Sequence, residues 1–80
     1  MSIEFHEVPR YQQLARIIRD QIDSGEILPH HPIPSKATLK ARHNVAGTTV
    51  DRAIQVLKDE GRIITVPGLG LYVTERKNWR

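Results

Sequence analysis

The sequence predicts an α+β fold of three helices followed by a two-stranded β-hairpin. Before Gly61, apolar residues recur at intervals of three and four, which is typical of helices with one buried face. After Gly61, two β-rich runs flank Pro67-Gly68-Leu69-Gly70, which indicates a hairpin with a glycine-rich turn. The 80 residues suffice for a single domain, with a core at 9–74 and flexible ends at 1–8 and 75–80.

The first helix is predicted between Pro9 and Ser24. Pro9 suits the first helical position because its missing N–H would have no partner there, and Gly25 supplies a left-handed stop. The buried stripe of this helix comprises Tyr11, Leu14, Ala15, Ile18 and Ile22. Residues 25–34 contain three prolines and are expected to form an extended connection, with a short strand near Ile33.

Two further helices are predicted on either side of a short turn. Ser35 is expected to cap a helix over Lys36–His43, which Asn44 ends in the left-handed conformation. The third helix begins near Gly47 and ends at Gly61. Its apolar stripe comprises Val50, Ala53, Ile54 and Leu57, and its opposite face carries Thr48, Asp51, Arg52, Gln55 and Asp59.

The hairpin is predicted to consist of strands over 62–66 and 71–74. Helices and hairpin together are expected to bury one small core. Its predicted members are Leu14, Ile18, Ile22, Leu39, Val45, Val50, Ile54, Leu57, Ile63 and Val73.

The composition excludes several kinds of site. The chain has no cysteine, so disulfides, thiolate metal sites and cysteine nucleophiles are excluded. The sequence shows neither a nucleophile with its base nor a cluster of metal ligands. We therefore expect no enzyme activity, cofactor, metal or small-molecule site. The N-terminus lacks the layout of a signal peptide and no apolar run could cross a bilayer, which predicts a cytoplasmic protein without membrane contact.

Positive charge is concentrated in the middle of the chain. The formal net charge is +3, and between residues 30 and 58 five lysines and arginines accompany one acid, Asp51. Such a cluster favours an anionic partner, although a solvated basic face has the same composition.

Two helices joined by a short turn and followed by a hairpin form the layout of a winged helix-turn-helix, which predicts binding of double-stranded DNA. In this layout the second helix braces the third, and the first turn of the third helix enters the major groove. The hairpin is the wing. Its glycines let the backbone approach a phosphate or the minor groove.

Several motifs follow one another in a fixed register from 9 to 74. The predicted first helix and the start of the loop after it have the sequence PRYQQLARIIRDQIDSGEILP. Further motifs are Pro34-Ser35, Asn44-Val45, Thr48-Thr49-Val50, Ala53-Ile54, Leu57, Glu60-Gly61 and Pro67-Gly68-Leu69-Gly70. Together they resemble the DNA-binding signature of the GntR family of bacterial transcription regulators. The resemblance implies sequence-specific binding of palindromic operators by a homodimer, and a C-terminal effector or oligomerising domain attached to this one.

The sequence departs from the family pattern at four basic contact positions. Ala37, Gly47, Asp51 and Leu69 stand where the resemblance implies arginine or lysine. Because arginine is the usual reader of guanine, the family's usual operator is not expected to transfer. The remaining candidate contacts are the side chains of Ser35, Lys36, Lys40, Arg42, Thr48, Thr49 and Arg52, with Gln55 beside them, and the tight backbone at Gly47, Gly68, Leu69 and Gly70.

Some alternatives stay open. Asp51 either complements the positive end of the helix dipole, or accepts from a cytosine amino group or orients Arg52, or lies away from DNA. For the chain as a whole, a winged-helix scaffold for protein interaction and an architectural DNA-binding factor are the competing functions. In isolation we expect a monomer or a weak dimer, since no long heptad stripe is visible, with palindromic DNA able to pair two copies.

Overall fold

The computed structural model describes residues 8–80, and its elements follow the predicted order. Three helices precede one antiparallel two-stranded sheet, and a short 3-10 turn follows it. The elements are α1 (Arg10–Asp23), α2 (Lys36–His43), α3 (Gly47–Asp59), β1 (Ile63–Val66), β2 (Gly70–Val73) and the 3-10 turn Arg76–Asn78. The predicted fold class is therefore confirmed. The predicted flexible end at 1–8 lies, except for Val8, outside the described residues.

The core forms where the apolar faces of the helices meet the hairpin. Helix α3 is central, because it packs against α1, α2 and β1. Nine of the ten predicted core residues are buried, whereas Val45 is half-buried and packs at the edge. The buried apolar residues are Leu14, Ala15, Ile18, Ile22, Ile33, Leu39, Val50, Ala53, Ile54, Leu57, Ile63 and Val73.

Helix ends are set by the residues that the sequence supplies for them. The hydroxyl of Ser35 accepts a hydrogen bond from the N–H of Thr38 at 3.2 Å, which caps α2. Asn44 ends α2 in the left-handed conformation, with φ of +53°, and Gly25 follows α1 with φ of +87°. The predicted cap and both predicted stops are confirmed.

The hairpin pairs Ile63 with Val73 and Val66 with Gly70, so the predicted strands are correct to within one residue. The connection between α1 and α2 also bonds to β2, because the N–H of Ile33 donates to the carbonyl of Leu71 at 3.0 Å. The predicted strand near Ile33 is thus reduced to one bridge, between Pro32 and Tyr72. This bridge ties the base of the wing to the segment that precedes α2.

The C-terminal residues pack onto the domain, contrary to the predicted flexible end at 75–80. Trp79 lies half-buried against the core, and its indole Nε1 donates to Oγ1 of Thr74 at 3.0 Å. The N–H of Arg80 donates to the carbonyl of Glu60 at 2.7 Å. The single tryptophan explains the difference, because an indole ring buries a large apolar area and finds a partner for its N–H. We call residues 76–80 the C-terminal clasp.

Gly61 is required where the clasp meets the end of α3. Its φ is +76°, and a Cβ built there would lie 2.1 Å from the carbonyl oxygen of Asn78. The hydroxyl of Thr74 also donates to the carbonyl of Gly61. A side chain at this position would therefore strain the backbone and push the clasp away.

Four charged residues connect α1 to the end of α3. Arg19 donates to both carboxylate oxygens of Glu60, at 2.9 and 2.6 Å. Arg62 donates to Glu60 at 2.7 Å and to both oxygens of Asp23 at 3.1 and 3.2 Å. The hydrogen bonds from Arg19 lower the pKa of the Glu60 carboxyl, and the same bonds raise the pKa of Arg19. We call these four residues the ionic cluster.

Within residues 8–80, no helix combines the length and the apolar character that a transmembrane span requires.

Candidate nucleic-acid interface

The first turn of α3 is accessible from outside the domain. Thr48 and Arg52 are exposed, and Thr49 is half-buried beside the buried Val50. Ala46 precedes the helix and has no side-chain oxygen that could cap it. The amide groups at the start of α3 are therefore not covered by a capping side chain, which leaves the positive end of the helix facing outward.

Lys36 crosses from α2 to α3 above this turn. Its ammonium nitrogen lies 3.1 Å from each carboxylate oxygen of Asp51. A Cβ built on Gly47 would lie 3.1 Å from Cε of Lys36, so the missing side chain at Gly47 gives the lysine stem its path. Asp51 is paired with Lys36, and within residues 8–80 it forms no ion pair with Arg52. The interpretation in which Asp51 orients Arg52 is therefore wrong.

Arg52 lies instead beside α1. Its guanidinium carbon is 5.7 Å from the centre of the Tyr11 ring, a distance at which a cation and an aromatic face attract each other. Arg10, at the start of α1, donates to the carbonyl of Asn44 at 3.5 Å. Arg10 and Tyr11 are thus neighbours of this surface that the sequence pattern did not indicate. Only the packing of α1 against α3 brings them there.

The remaining predicted side chains on α2 are separated. Lys40 follows Lys36 by one helical turn, and its Cδ would lie 3.9 Å from a Cβ built on Gly47. Arg42 instead borders a shallow groove with Gln21 and Thr38 near the end of α1. Lys36 and Lys40 therefore share the side of α2 that faces the first turn of α3, and Arg42 does not.

Ser35 already has a structural partner. Besides accepting from the Thr38 N–H, its hydroxyl donates to Oγ1 of Thr38 at 2.9 Å. The side chain is exposed, but its hydrogen-bonding groups are used in the cap.

The wing tip is narrow and apolar. Gly68 and Gly70 have φ of +79° and +125°, and no atom lies within 4 Å of a Cβ built on either. Leu69 between them is 69% exposed, the largest exposed fraction among the exposed large apolar residues of the described chain. Its N–H donates to the carbonyl of Val66 at 3.0 Å and closes the turn. Both glycines are required by the backbone, and Leu69 is the side chain that the tip presents.

No cluster of three or more potential metal ligands occurs within residues 8–80. His30 lies 3.5 Å from a carboxylate oxygen of Glu75, and the ring of His31 lies 3.1 Å from the carbonyl of Pro29. The neighbouring histidines therefore contact different residues, Glu75 far away in the sequence and Pro29 close by.

An exposed first turn of α3 braced by α2, and a glycine-flanked wing, define the class of this molecule: it is a winged helix-turn-helix domain, the DNA-binding unit of transcription regulators. Residues 10–73 match the family described as bacterial regulatory proteins, gntR family. The chain belongs to this family. The resemblance inferred from the sequence motifs is confirmed.

Curated relatives agree with this assignment. The chain is 38% identical over 69 residues to the histidine utilization repressor of Klebsiella aerogenes, which covers 86% of this chain and 29% of that protein. It is 33% identical over 69 residues to the mannosyl-D-glycerate transport/metabolism system repressor MngR of Escherichia coli (strain K12), with coverage of 86% and 29%. The chain thus spans less than a third of the length of these relatives.

Solved structures share the fold. AraR(DBD) in complex with operator ORX1 superposes with a TM-score of 0.82 at 32% identity, covering 86% of this chain and 83% of that one. A GntR family transcriptional regulator from Listeria monocytogenes gives a TM-score of 0.81 at 32% identity, covering 89% and 62%. Family and fold together identify sequence-specific binding of double-stranded DNA in transcription regulation as the function of this domain.

Proposed function

We propose that this chain is the operator-binding part of a bacterial regulator and that the first turn of α3 enters the major groove. The observation that carries the proposal is the difference between the cations beside the two ends of α3. Near Gly61, Arg19 and Arg62 are bound to carboxylates, whereas Lys40 and Arg52 near the first turn form no ion pair with any residue of 8–80. Unpaired, exposed cations at that end are available to phosphates and base edges.

Base reading in this proposal falls to Thr48, Thr49 and Arg52. The threonines offer hydroxyl groups and methyl groups, which suit base edges and thymine methyls, and Arg52 can donate two bonds to a guanine. Lys36 and Lys40 extend the surface along α2, and the backbone at Gly47 can approach closely. Ser35 and Arg42 have weaker support, because the former is used in a cap and the latter lies on another side of α2.

The wing, with Gly68, Leu69 and Gly70 at its tip, is proposed to contact the backbone or the minor groove. Residues 63–73 contain no charged side chain. The wing therefore contributes by shape and apolar contact, and most of the electrostatic affinity must come from the helices.

Two copies on a palindromic operator are part of the same proposal. A twofold arrangement would place the two α3 helices in successive major grooves, about one helical turn of DNA apart. The relatives named as repressors support repression as the regulatory effect. A cytoplasmic location and the absence of catalytic activity are the corresponding expectations for this chain.

A second candidate function is that of a scaffold that binds protein. It is favoured by the exposed apolar surface of the hairpin, where Ile64 and Leu69 are 52% and 69% exposed and border a groove with Val66 and Tyr72. A DNA-architectural role is distinguished from specific binding by footprinting, because only specific binding protects a defined sequence.

The test is selection of duplexes from a random DNA library, followed by fluorescence anisotropy across a salt series. We expect an enriched half-site, and a slope of log affinity against log salt of about −2 to −4 for two to four phosphate contacts per protomer. Footprinting and sedimentation on the selected palindrome then check specificity and the two-copy arrangement. No enrichment and no salt-dependent binding at low ionic strength would transfer the assignment to the scaffold.

A further inference from the structure

Lys36 and Asp51 present a hydrogen-bond donor and an acceptor side by side at the outer surface of the helix-turn-helix. Each carboxylate oxygen of Asp51 lies 3.1 Å from the ammonium nitrogen of Lys36. The two side chains remain 49% and 58% exposed. They come from different helices, and the missing side chain of Gly47 lets the stem of Lys36 pass between them.

We propose that Lys36 and Asp51 act as one unit that reads a guanine–cytosine base pair in the major groove. The inference rests on the proposed function, because it requires the first turn of α3 to enter that groove. It assigns sequence specificity to two residues that would otherwise form an ordinary surface ion pair.

The chemistry of the base pair matches that of the side chains. The major-groove edge of a G·C pair presents the acceptors N7 and O6 of guanine next to the N4 amino donor of cytosine. A lysine ammonium donates to the first two, and an aspartate carboxylate accepts from the third. An A·T pair presents the N6 amino donor of adenine where guanine has O6, and the acceptor O4 of thymine where cytosine has its amino group. Lys36 would then keep only N7, and Asp51 would face an acceptor.

The ion pair leaves enough hydrogen-bonding capacity for this reading. An ammonium has three donors and a carboxylate about four acceptor sites, so mutual pairing uses only part of each. Their partial exposure leaves the remaining donors and acceptors accessible to a base edge. The pairing also fixes which side of the unit donates and which accepts.

The unit explains how Asp51 is compatible with a groove that repels negative charge. Asp51 stands one turn into α3, at a position where the family resemblance implies a basic residue. Lys36 neutralises its carboxylate, so the pair as a whole brings no net negative charge to the phosphates. A lone carboxylate there would weaken binding to every sequence, whereas the paired carboxylate discriminates among sequences.

The experiment begins with DNA selection for the wild type, Lys36→Met, Asp51→Ala and the double variant. We expect the wild-type half-site to contain a G·C pair whose preference disappears in both single variants. Because the residues act as one unit, the double variant should lose no more discrimination than either single variant. Circular dichroism melting confirms that each variant is folded.

Base analogues then test whether the reading occurs in the major groove. In the selected site, the critical pair is replaced by A·T, by inosine·C and by diaminopurine·T, and wild-type affinity is measured by anisotropy. Replacement by A·T should weaken binding roughly 5- to 150-fold. Inosine·C has the same major-groove edge as G·C and should bind like it, whereas diaminopurine·T should bind like A·T.

Lys77→Met is the matched control, because Lys77 also pairs with an exposed carboxylate, that of Glu75, at 3.5 Å. This variant should select the same half-site as the wild type. If a site is selected but its G·C preference persists in both single variants, or follows the minor-groove edge in the analogues, the inference is overturned and the proposed function stands. If no variant and no wild-type protein selects DNA, both are overturned.

Discussion

Beside the C-terminal end of α3 the four residues of the ionic cluster are bound to one another, whereas at its N-terminal end two cations face solvent without an ion pair among residues 8–80. In the ionic cluster, Arg62 is only 12% exposed and holds two carboxylates, those of Glu60 and Asp23. At the other end Lys40 and Arg52 are exposed. Charge therefore has two uses at the two ends of α3: beside one end it fixes the domain, and at the other it is available to a partner.

The difference follows from what surrounds each end. The ionic cluster is covered by the C-terminal clasp. Within it Trp79 lies against Arg62 and Arg76, whose guanidinium carbons are 5.3 and 4.8 Å from the centre of the indole ring. Partial exclusion of water strengthens hydrogen bonds between charged groups, and geometry fixes their orientation. The first turn of α3 has no such cover among the described residues, and an exposed pair such as Lys36 with Asp51 adds little stability.

Alanine substitutions of one glycine at each end of α3 should show the largest difference between the two ends, in the free energy of unfolding. Gly61→Ala should lower the free energy of unfolding by about 2 to 4 kcal/mol, because its left-handed backbone would be strained and the Cβ would meet the clasp. Gly47→Ala should change it by less than about 1 kcal/mol, since alanine favours a helix and only the flexible Lys36 stem must move. Chemical denaturation measures both.

For DNA affinity the order of the two variants should be the reverse of their order for stability. Gly47→Ala should alter affinity for the selected site, whereas folded Gly61→Ala protein should bind it normally. Equal losses of stability in the two variants would contradict the division of α3 into a structural end and a binding end.

The elements were predictable because local signals agreed with the packing. The periodicity of apolar residues indicates each helix from its own sequence. The cap at Ser35 and the stop at Asn44 lie directly beside the helix ends that they define. The clasp was not predictable in this way, because its position depends on contacts of Trp79 and Arg80 with residues far away in the sequence. Its contribution is tertiary, and a five-residue segment has no periodicity that could reveal it.

The candidate site was predictable only in outline, because Arg42 lies on another side of α2 and Arg10 and Tyr11 border the surface from α1. The basic character of α2 and the outward face of α3 follow from the sequence. That Asp51 pairs with Lys36, and Arg52 with Tyr11, depends on how the helices cross. The role of Gly47 also emerges only in three dimensions, since it leaves space for a side chain from α2.

The substitution Glu60→Gln tests how much the ionic cluster contributes to stability and to its dependence on pH. At neutral pH the loss of charged hydrogen bonds to Arg19 and Arg62 should cost about 1 to 3 kcal/mol. Because the folded-state pKa of Glu60 lies below its ordinary value of 4.5, its contribution is present above that pH and is lost as the pH falls through the lowered pKa. The variant's unfolding free energy should therefore fall less steeply below pH 4.5. Glu75→Gln, at an exposed position outside the ionic cluster, should keep the wild-type acid profile.

Arg52→Ala tests the binding end with a smaller effect. The loss of one exposed cation and its stacking on Tyr11 should weaken DNA binding by about 1 to 2 kcal/mol, as measured by anisotropy. Lys58→Ala removes a cation from the last turn of the same helix. It should leave the selected sequence unchanged. If Lys58→Ala weakens specific binding as much as Arg52→Ala, DNA is not confined to the N-terminal end of α3.

The smallest expected effect concerns the wing, where Leu69→Lys adds a cation at a tip that has none. Leu69 is 69% exposed, so the substitution should change the free energy of unfolding by no more than about 0.5 kcal/mol. If the tip approaches the DNA backbone, each protomer gains about one phosphate contact, and the slope of log affinity against log salt should steepen by about 0.9.

Ile64→Lys is the control, since Ile64 is also exposed but lies in β1 opposite Tyr72, away from the turn. A steeper slope for Leu69→Lys alone would place the tip near phosphate. The same slope in both variants would show only a general attraction of charge, and the binding end of the domain would then consist of the helices without the wing.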